Sequence, residues 1–140
     1  MKILVMGLPS SGKTYISRIL ANGLDCHHYD ADIVRAVSKD WDFSEQGRIN
    51  QAQRMAELAY PHWEKGENVI CSFVAPTEKT RRIFKPDYLI YCNRPTTRNY
   101  EDTSELFEPP KFYDAMYNDN EELVKSVVLR DLFPLQTVHH

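Results

Sequence analysis

Gly7-Leu8-Pro9-Ser10-Ser11-Gly12-Lys13-Thr14 is the stretch on which the reading of this chain turns. Its spacing is G-x-x-x-x-G-K-[ST], a pattern that wraps backbone around a polyphosphate. Before it stands the apolar run KILVM at 2–6, which suits a buried parallel strand. After it, Ile16, Ile19, Leu20 and Leu24 recur at near-helical spacing from Lys13 onward. Each position has a physical job. Gly7 and Gly12 permit the close turn. The segment through Pro9, Ser10 and Ser11 and the start of the helix supply amide N–H groups and positive potential. Lys13 adds a mobile cation for the β and γ phosphates, and Thr14 offers a hydroxyl to Mg²⁺. The plainer alternative, an accidental glycine-rich turn, does not account for the strand before it and the helix after it. The expected ligands are ATP and Mg²⁺.

Outward from the loop the chain alternates. The Asn22-Gly23 pair is the expected stop of the first helix. A short strand at 26–29, a helix at 30–39 and a long helix at 46–65 follow, the last striped by Ile49, Ala52, Ala56 and Ala59 and kinked or shortened by Pro61. Then come strands at 68–74 and 87–92 with a helix at 77–84 between them, a polar stretch at 93–111, a brief strand at 112–117 and a helix at 120–132. The pattern predicts an α/β chain of the phosphate-loop nucleoside-triphosphate hydrolase and kinase fold. It has a parallel sheet of about five strands with helices on both faces, and residues 1–140 form one domain.

With 140 residues and 42% hydrophobic content, one core closes without disulfides or metal staples. Three cysteines, an odd number in or beside apolar runs, read as reduced thiols of an intracellular protein. A net charge of −3 argues against an extended nucleic-acid surface or an anionic membrane as partner and leaves a small-molecule nucleotide. The apolar stretch at 3–8 is too short for a signal peptide and no run approaches a membrane span, so a cytoplasmic location is expected. The terminal pair His139 and His140 is given no chemical weight.

No Asn-Lys-x-Asp element that would read guanine is present, and the chain is short for a mechanical ATPase, so a small-molecule kinase is expected. At the end of the second strand stand Asp30 and Asp32. Two carboxylates near a phosphate loop divide the work of a kinase: one orients Mg²⁺ through water, and the other, Asp32 here, accepts the proton of the acceptor hydroxyl. In the plainer reading one Asp only caps the following helix. Lys13, Asp30 and Asp32 are the catalytic candidates.

The run of motifs then becomes specific. Phosphate loop, Asp30-Ala31-Asp32-x-x-Arg35, Phe43-Ser44-Glu45-x-x-Arg48 and Ser72-Phe73-Val74-Ala75-Pro76 with Arg81 behind it resemble the adenylylsulfate kinase family, whose members phosphorylate the 3′-hydroxyl of adenosine 5′-phosphosulfate. A weaker echo follows at Phe107-Glu108-Pro109-Pro110. The resemblance implies that Asp32, Arg35, Phe43, Arg48, Val74 and Ala75 line the acceptor site, with Gln51 where the family has Asn. It also implies a homodimer, although no long apolar seam marks an interface. The residue types agree in kind, since Phe43 stacks on a purine and arginines pair with a phosphosulfate anion. The blander options are a core aromatic and solvated surface charges. Three departures bear on the substrate: Ala31 replaces a glycine, Ala75 replaces a serine, and the family's Gly-Leu-Tyr-Lys-Lys-Ala-Arg lid is replaced by the stretch from Asn93 to Thr103. There Arg94 and Arg98 are the cations available for a closing segment.

Two other functions stay open. One is a kinase for another nucleotide, a nucleoside or a nucleic-acid end, and the other is a nucleotide-binding module without catalysis. His27 and His28 lack a further Cys or His at metal spacing and read as structural. Cys71 and Cys92 read as core, Lys79, Arg81, Arg82 and Lys85 as a basic rim or a solvated helix face, and Trp41 and Trp63 as packing residues.

Overall fold

The computed structural model describes residues 1–94 and 106–132. In chain order the elements are β1 (Lys2–Met6), α1 (Lys13–Leu24), β2 (His27–Asp30), α2 (Ala31–Ser38), α3 (Glu45–Glu64), β3 (Val69–Ser72), α4 (Glu78–Phe84), β4 (Tyr88–Cys92), β5 (Ala115–Tyr117) and α5 (Glu121–Leu132). The five strands form one sheet in the order β2-β3-β1-β4-β5, and every pairing is parallel. This is the phosphate-loop kinase fold that the alternation of apolar runs and helical stripes predicts.

The pleat divides the core in two. Along β1, Ile3 and Val5 face one layer, built with Ile16 and Leu20 of α1 and Val124 and Val128 of α5. Leu4 and Met6 face the other, with Ala52, Met55 and Ala59 of α3 and Phe84 of α4. All four β1 side chains are fully buried, so a near-continuous apolar run is what a strand covered on both faces requires.

The helix starts are set by side chains. Asp30 caps α2 by accepting from the Asp32 N–H, Ser44 caps α3 by accepting from the Gly47 N–H, and Thr77 and Thr80 close a reciprocal cap on α4. The helix ends differ from expectation at two points. α1 runs through Asn22-Gly23 to Leu24 and closes on Asp25 in the left-handed conformation, φ 53°, whose N–H bonds the Ala21 carbonyl. The pull that carries it past the pair is Leu24, buried with Ala21 in the α1 layer. α3 continues through Pro61 to Glu64. The ring forfeits one intrahelical bond, to the Glu57 carbonyl, and the helix continues for one more turn. Trp41 and Trp63 are not packing residues: both are exposed, Trp63 carrying the Lys2 ammonium 5.2 Å from its ring and Trp41 lying beside Phe43. Among the described residues no helix is long and apolar enough to cross a membrane.

Candidate active site

β1 delivers the chain into the loop at Gly7, where a Cβ would sit 2.4 Å from the Cys92 carbonyl oxygen of neighbouring β4. Only glycine admits that approach. At the far end Gly12, φ 93°, enters α1, and a Cβ there would meet the Tyr117 ring at 3.0 Å and an Arg94 guanidinium nitrogen at 3.1 Å. The cradle therefore has β5 and Arg94 as its outer wall, with the Arg94 guanidinium 5.3 Å from the Tyr117 ring centre. Inside it the Ser11 hydroxyl is buried and has no partner among the described residues. Lys13 folds back onto the loop, donating to the Leu8 carbonyl at 2.8 Å. Burial pushes its pKa down to about 8, against the opposing pull of Asp32 and Asp30. An orphaned donor and a desolvated ammonium in one cradle fit a polyphosphate tail, which supplies the missing acceptor and counter-charge.

The two carboxylates occupy different positions. Asp30 closes β2 and is pinned: Oδ1 accepts from the Thr14 hydroxyl at 2.6 Å and the Ser72 hydroxyl at 3.0 Å, and Oδ2 accepts from the Asp32 N–H at 3.2 Å. Ser72 in turn lies 2.9 Å from His28 Nε2. Parallel pairing of β2 with β3 sets this chain of contacts, since Asp30 is in register with Ser72 and His28 with Ile70. A carboxylate and two hydroxyls make an oxygen-only donor set that suits Mg²⁺. Asp32, in the first turn of α2, is exposed. Capping and metal-side placement thus coincide in Asp30, and Asp32 is left to face solvent.

Beyond α2 the arginines gather around one ring. Arg35 is 2% exposed and donates through Nη1 to the Asp40 and Asp42 carbonyls at 3.0 and 3.1 Å. Its guanidinium carbon lies 4.5 Å from the Phe43 ring centre, and that of Arg48 lies 4.8 Å from it. Burial lowers both arginine pKa values, that of Arg48 to about 10 with the Arg35 charge adding to the effect. Phe43 is 47% exposed, so it is no core aromatic, and the arginines beneath it are not solvated surface charges. Gln51 is buried, its amide nitrogen donating to the Ala31 carbonyl at 3.3 Å and its oxygen accepting from Arg54, which also pairs with Asp40. It braces the α2 start against α3.

Val74 and Ala75 follow β3, both buried, with Ala75 in the left-handed region at φ 46°. Arg81 holds this segment in place. Buried rather than lining a basic rim, it donates from Nε to the Ala75 carbonyl at 2.9 Å and from Nη2 to the Glu108 carbonyl. The Glu108 N–H returns to the Pro76 carbonyl at 2.6 Å, so the Phe107-Glu108 stretch is tied to the strand end. Arg82, by contrast, is exposed and pairs with Glu78, and Cys71 and Cys92 are core as read. Arg98 lies outside the described residues. Sequence reasoning passed over Ser72 as a functional group and Arg54 altogether. Ser72 ends β3 in the structure, whereas the sequence pattern ran the strand on to Val74 and so gave it no special place.

Residues 1–97 match the profile of the adenylylsulphate kinase family over well over half of the chain. The chain belongs to that family. An adenylyl-sulfate kinase of Pseudomonas entomophila is 39% identical over 85 residues, which is 56% of this chain and 41% of the relative. The match therefore spans less than half the length of that curated relative. Among solved structures, the Mycobacterium tuberculosis APS kinase CysC in complex with AMPPNP and APS superposes with a TM-score of 0.75 at 17% identity, covering 91% of this chain and 94% of that one. Shikimate kinase of Aquifex aeolicus superposes at 0.62 and 17% identity over the full length of both chains. These likenesses are likenesses of fold.

Proposed function

We propose that the protein transfers the γ-phosphoryl group of ATP to a hydroxyl of a small nucleotide, with adenosine 5′-phosphosulfate as acceptor. The observation that carries the reading is the arrangement around Asp30: the carboxylate tied to Thr14 and Ser72 beside the half-buried Lys13, with exposed Asp32 two residues on in the first turn of α2, the helix that also carries Arg35. Lys13 and the loop amides hold the donor phosphates. Thr14 and Asp30 would hold a Mg²⁺ ion, whose charge would offset that of the phosphate oxygens. Asp32 accepts the proton of the attacking hydroxyl. Arg35 and Arg48 hold the acceptor anion, which offsets the repulsion and desolvation of two guanidinium groups gathered on the Phe43 ring. Arg94, against the loop at Gly12, and Arg98 close on the donor side. Cytoplasmic residence and assembly into a homodimer belong to this proposal by family.

A coupled ATP-turnover assay with adenosine 5′-phosphosulfate tests it. Lys13→Ala is expected to lose nearly all turnover, while Asp32→Asn keeps ATP affinity and loses about 10²-fold or more in kcat. An Asp32→Asn enzyme of undiminished rate removes that residue from the mechanism. The replaced segment from Asn93 to Thr103 favours a second reading, the same chemistry on another nucleotide, nucleoside or nucleic-acid end. Turnover of an oligonucleotide 5′ end in a substrate panel, with none of adenosine 5′-phosphosulfate, selects it. Tight ATP binding without transfer to any acceptor marks a non-catalytic module.

A further inference from the structure

At the end of the sheet away from the phosphate loop, three side chains distant in sequence converge. His27 opens β2, His62 lies in the last turn of α3, and Glu67 stands in the turn before β3. Glu67 Oε1 is 3.0 Å from His62 Nδ1 and 3.6 Å from His27 Nε2, and all three ligating atoms lie within 4.8 Å of one another. The imidazole rings stack with centroids 3.9 Å apart. We propose that His27, His62 and Glu67 form a binding site for one zinc-class divalent ion, with water in the fourth position.

Three arguments support the assignment. The distances suit it: a point equidistant from three atoms separated by 3.0, 3.6 and at most 4.8 Å lies no more than about 2.4 Å from each in their plane, so side-chain rotations that unstack the two rings and aim their in-plane nitrogens at that point reach zinc's ~2.0–2.2 Å bonds. The ligand set is two imidazoles and a carboxylate, which selects a borderline ion over Mg²⁺ or Ca²⁺. The outer contacts are also in place, because the Tyr29 hydroxyl lies 2.8 Å from His62 Nε2 and engages the ring nitrogen that is not facing Glu67. With an ion on Nδ1, Nε2 carries the proton and donates to the Tyr29 oxygen, the usual support for a ligating histidine. The Glu67 backbone is anchored too, its carbonyl accepting from the Met1 ammonium at 2.9 Å. The spacing of His27 and His28 gave no hint of this, since its partners arrive from 35 and 40 residues along the chain. The ion would clip the β2 start, the α3 end and the entry to β3 together. His27 and Asp30 stand at opposite ends of β2, with His28 and Tyr29 between them, so phosphoryl transfer is not expected to depend on the ion.

The test uses the full chain carrying His139→Ala and His140→Ala, which removes a competing terminal histidine pair, stripped with EDTA and returned to buffer with excess Mg²⁺. Titration with Co²⁺ is expected to give an intense visible absorption band saturating at one equivalent and bleached by Zn²⁺. Zn²⁺ at a hundredfold over its Kd is expected to raise Tm by about 9 °C. His27→Gln, at a half-exposed position, is expected to weaken binding about a hundredfold and leave ATP turnover unchanged, and Tyr29→Phe to weaken it about tenfold. No Co²⁺ band, or a His27→Gln chain that binds as tightly as its parent, overturns the proposal.

Discussion

Replacing Ser72 by alanine tests whether the Asp30 carboxylate is held as described. The side chain is 1% exposed, and its hydroxyl is one of three donors on that carboxylate, with the Thr14 hydroxyl and the Asp32 N–H. A hydrogen bond to a charged group contributes about 1.5–3 kcal/mol. Two donors remain after the change, and only one oxygen atom of volume is lost, which places the cost in the lower half of that range, at about 2 kcal/mol. For a chain of this length the entropy of unfolding near the midpoint is roughly 0.3 kcal/mol per kelvin, so Tm should fall by about 7 °C. Urea unfolding and calorimetry near neutral pH, without nucleotide, measure both quantities. A cycle with Asp30→Asn should return a coupling of about 1 kcal/mol or more. A loss below about 0.5 kcal/mol, or strictly additive single changes, would refute the claim that Ser72 pins Asp30.

Other outcomes follow from the same geometry. Burial pushes the His28 pKa below its ordinary 6.5, against the pull of Asp30, so between that lowered value and 6.5 the unfolded chain binds more protons than the native one. Stability should therefore rise with pH across this window and be lost as pH falls through it, and a His28→Gln chain whose urea midpoints show the same acid-side slope contradicts this. Lys13, at about 8, must take up a proton to bind a triphosphate above that pH. Calorimetric Kd for ATP should weaken by up to about tenfold per pH unit on the alkaline side, and a flat profile to pH 10 counts against the desolvated lysine. Phe84, fully buried and edge-on to Phe73 at 5.5 Å, should cost about 3–5 kcal/mol when cut to alanine, read by urea unfolding; a cost under about 1.5 kcal/mol shows the α4 layer to be loosely packed.

The sequence made legible what is local. β1, the loop and the start of α1 are contiguous, each announced by its own residues, and the parallel sheet followed from alternation alone. The cluster of Arg35, Phe43 and Arg48 was legible only through the resemblance, because a phenylalanine and two arginines carry no periodic signal. The contacts that orient the site were not legible. Ser72 meets Asp30 across 42 residues, and Arg81 is buried because the Ala75 carbonyl needs a donor in a tight backbone turn, a demand that no helix-face pattern encodes. The Asn22-Gly23 pair misled for a related reason, as its turn preference was weaker than the burial of Leu24. The tryptophans misled by size, since bulk alone does not put a ring inside.

The strand order β2-β3-β1-β4-β5 has one more effect. The phosphate-loop cradle rises from the middle of the sheet, where β1 lies between β3 and β4, whereas Arg35, Phe43 and Arg48 belong to α2, α3 and the stretch between them, which follow the edge strand β2. The solvent face of α2 carries Ile33 and Val37, largely open to water, while Arg35 and Arg48 of that cluster are themselves buried. Under the proposed reading, a change at Ile33 or Val37 alters the rim of that cluster without disturbing the strands from which the loop springs.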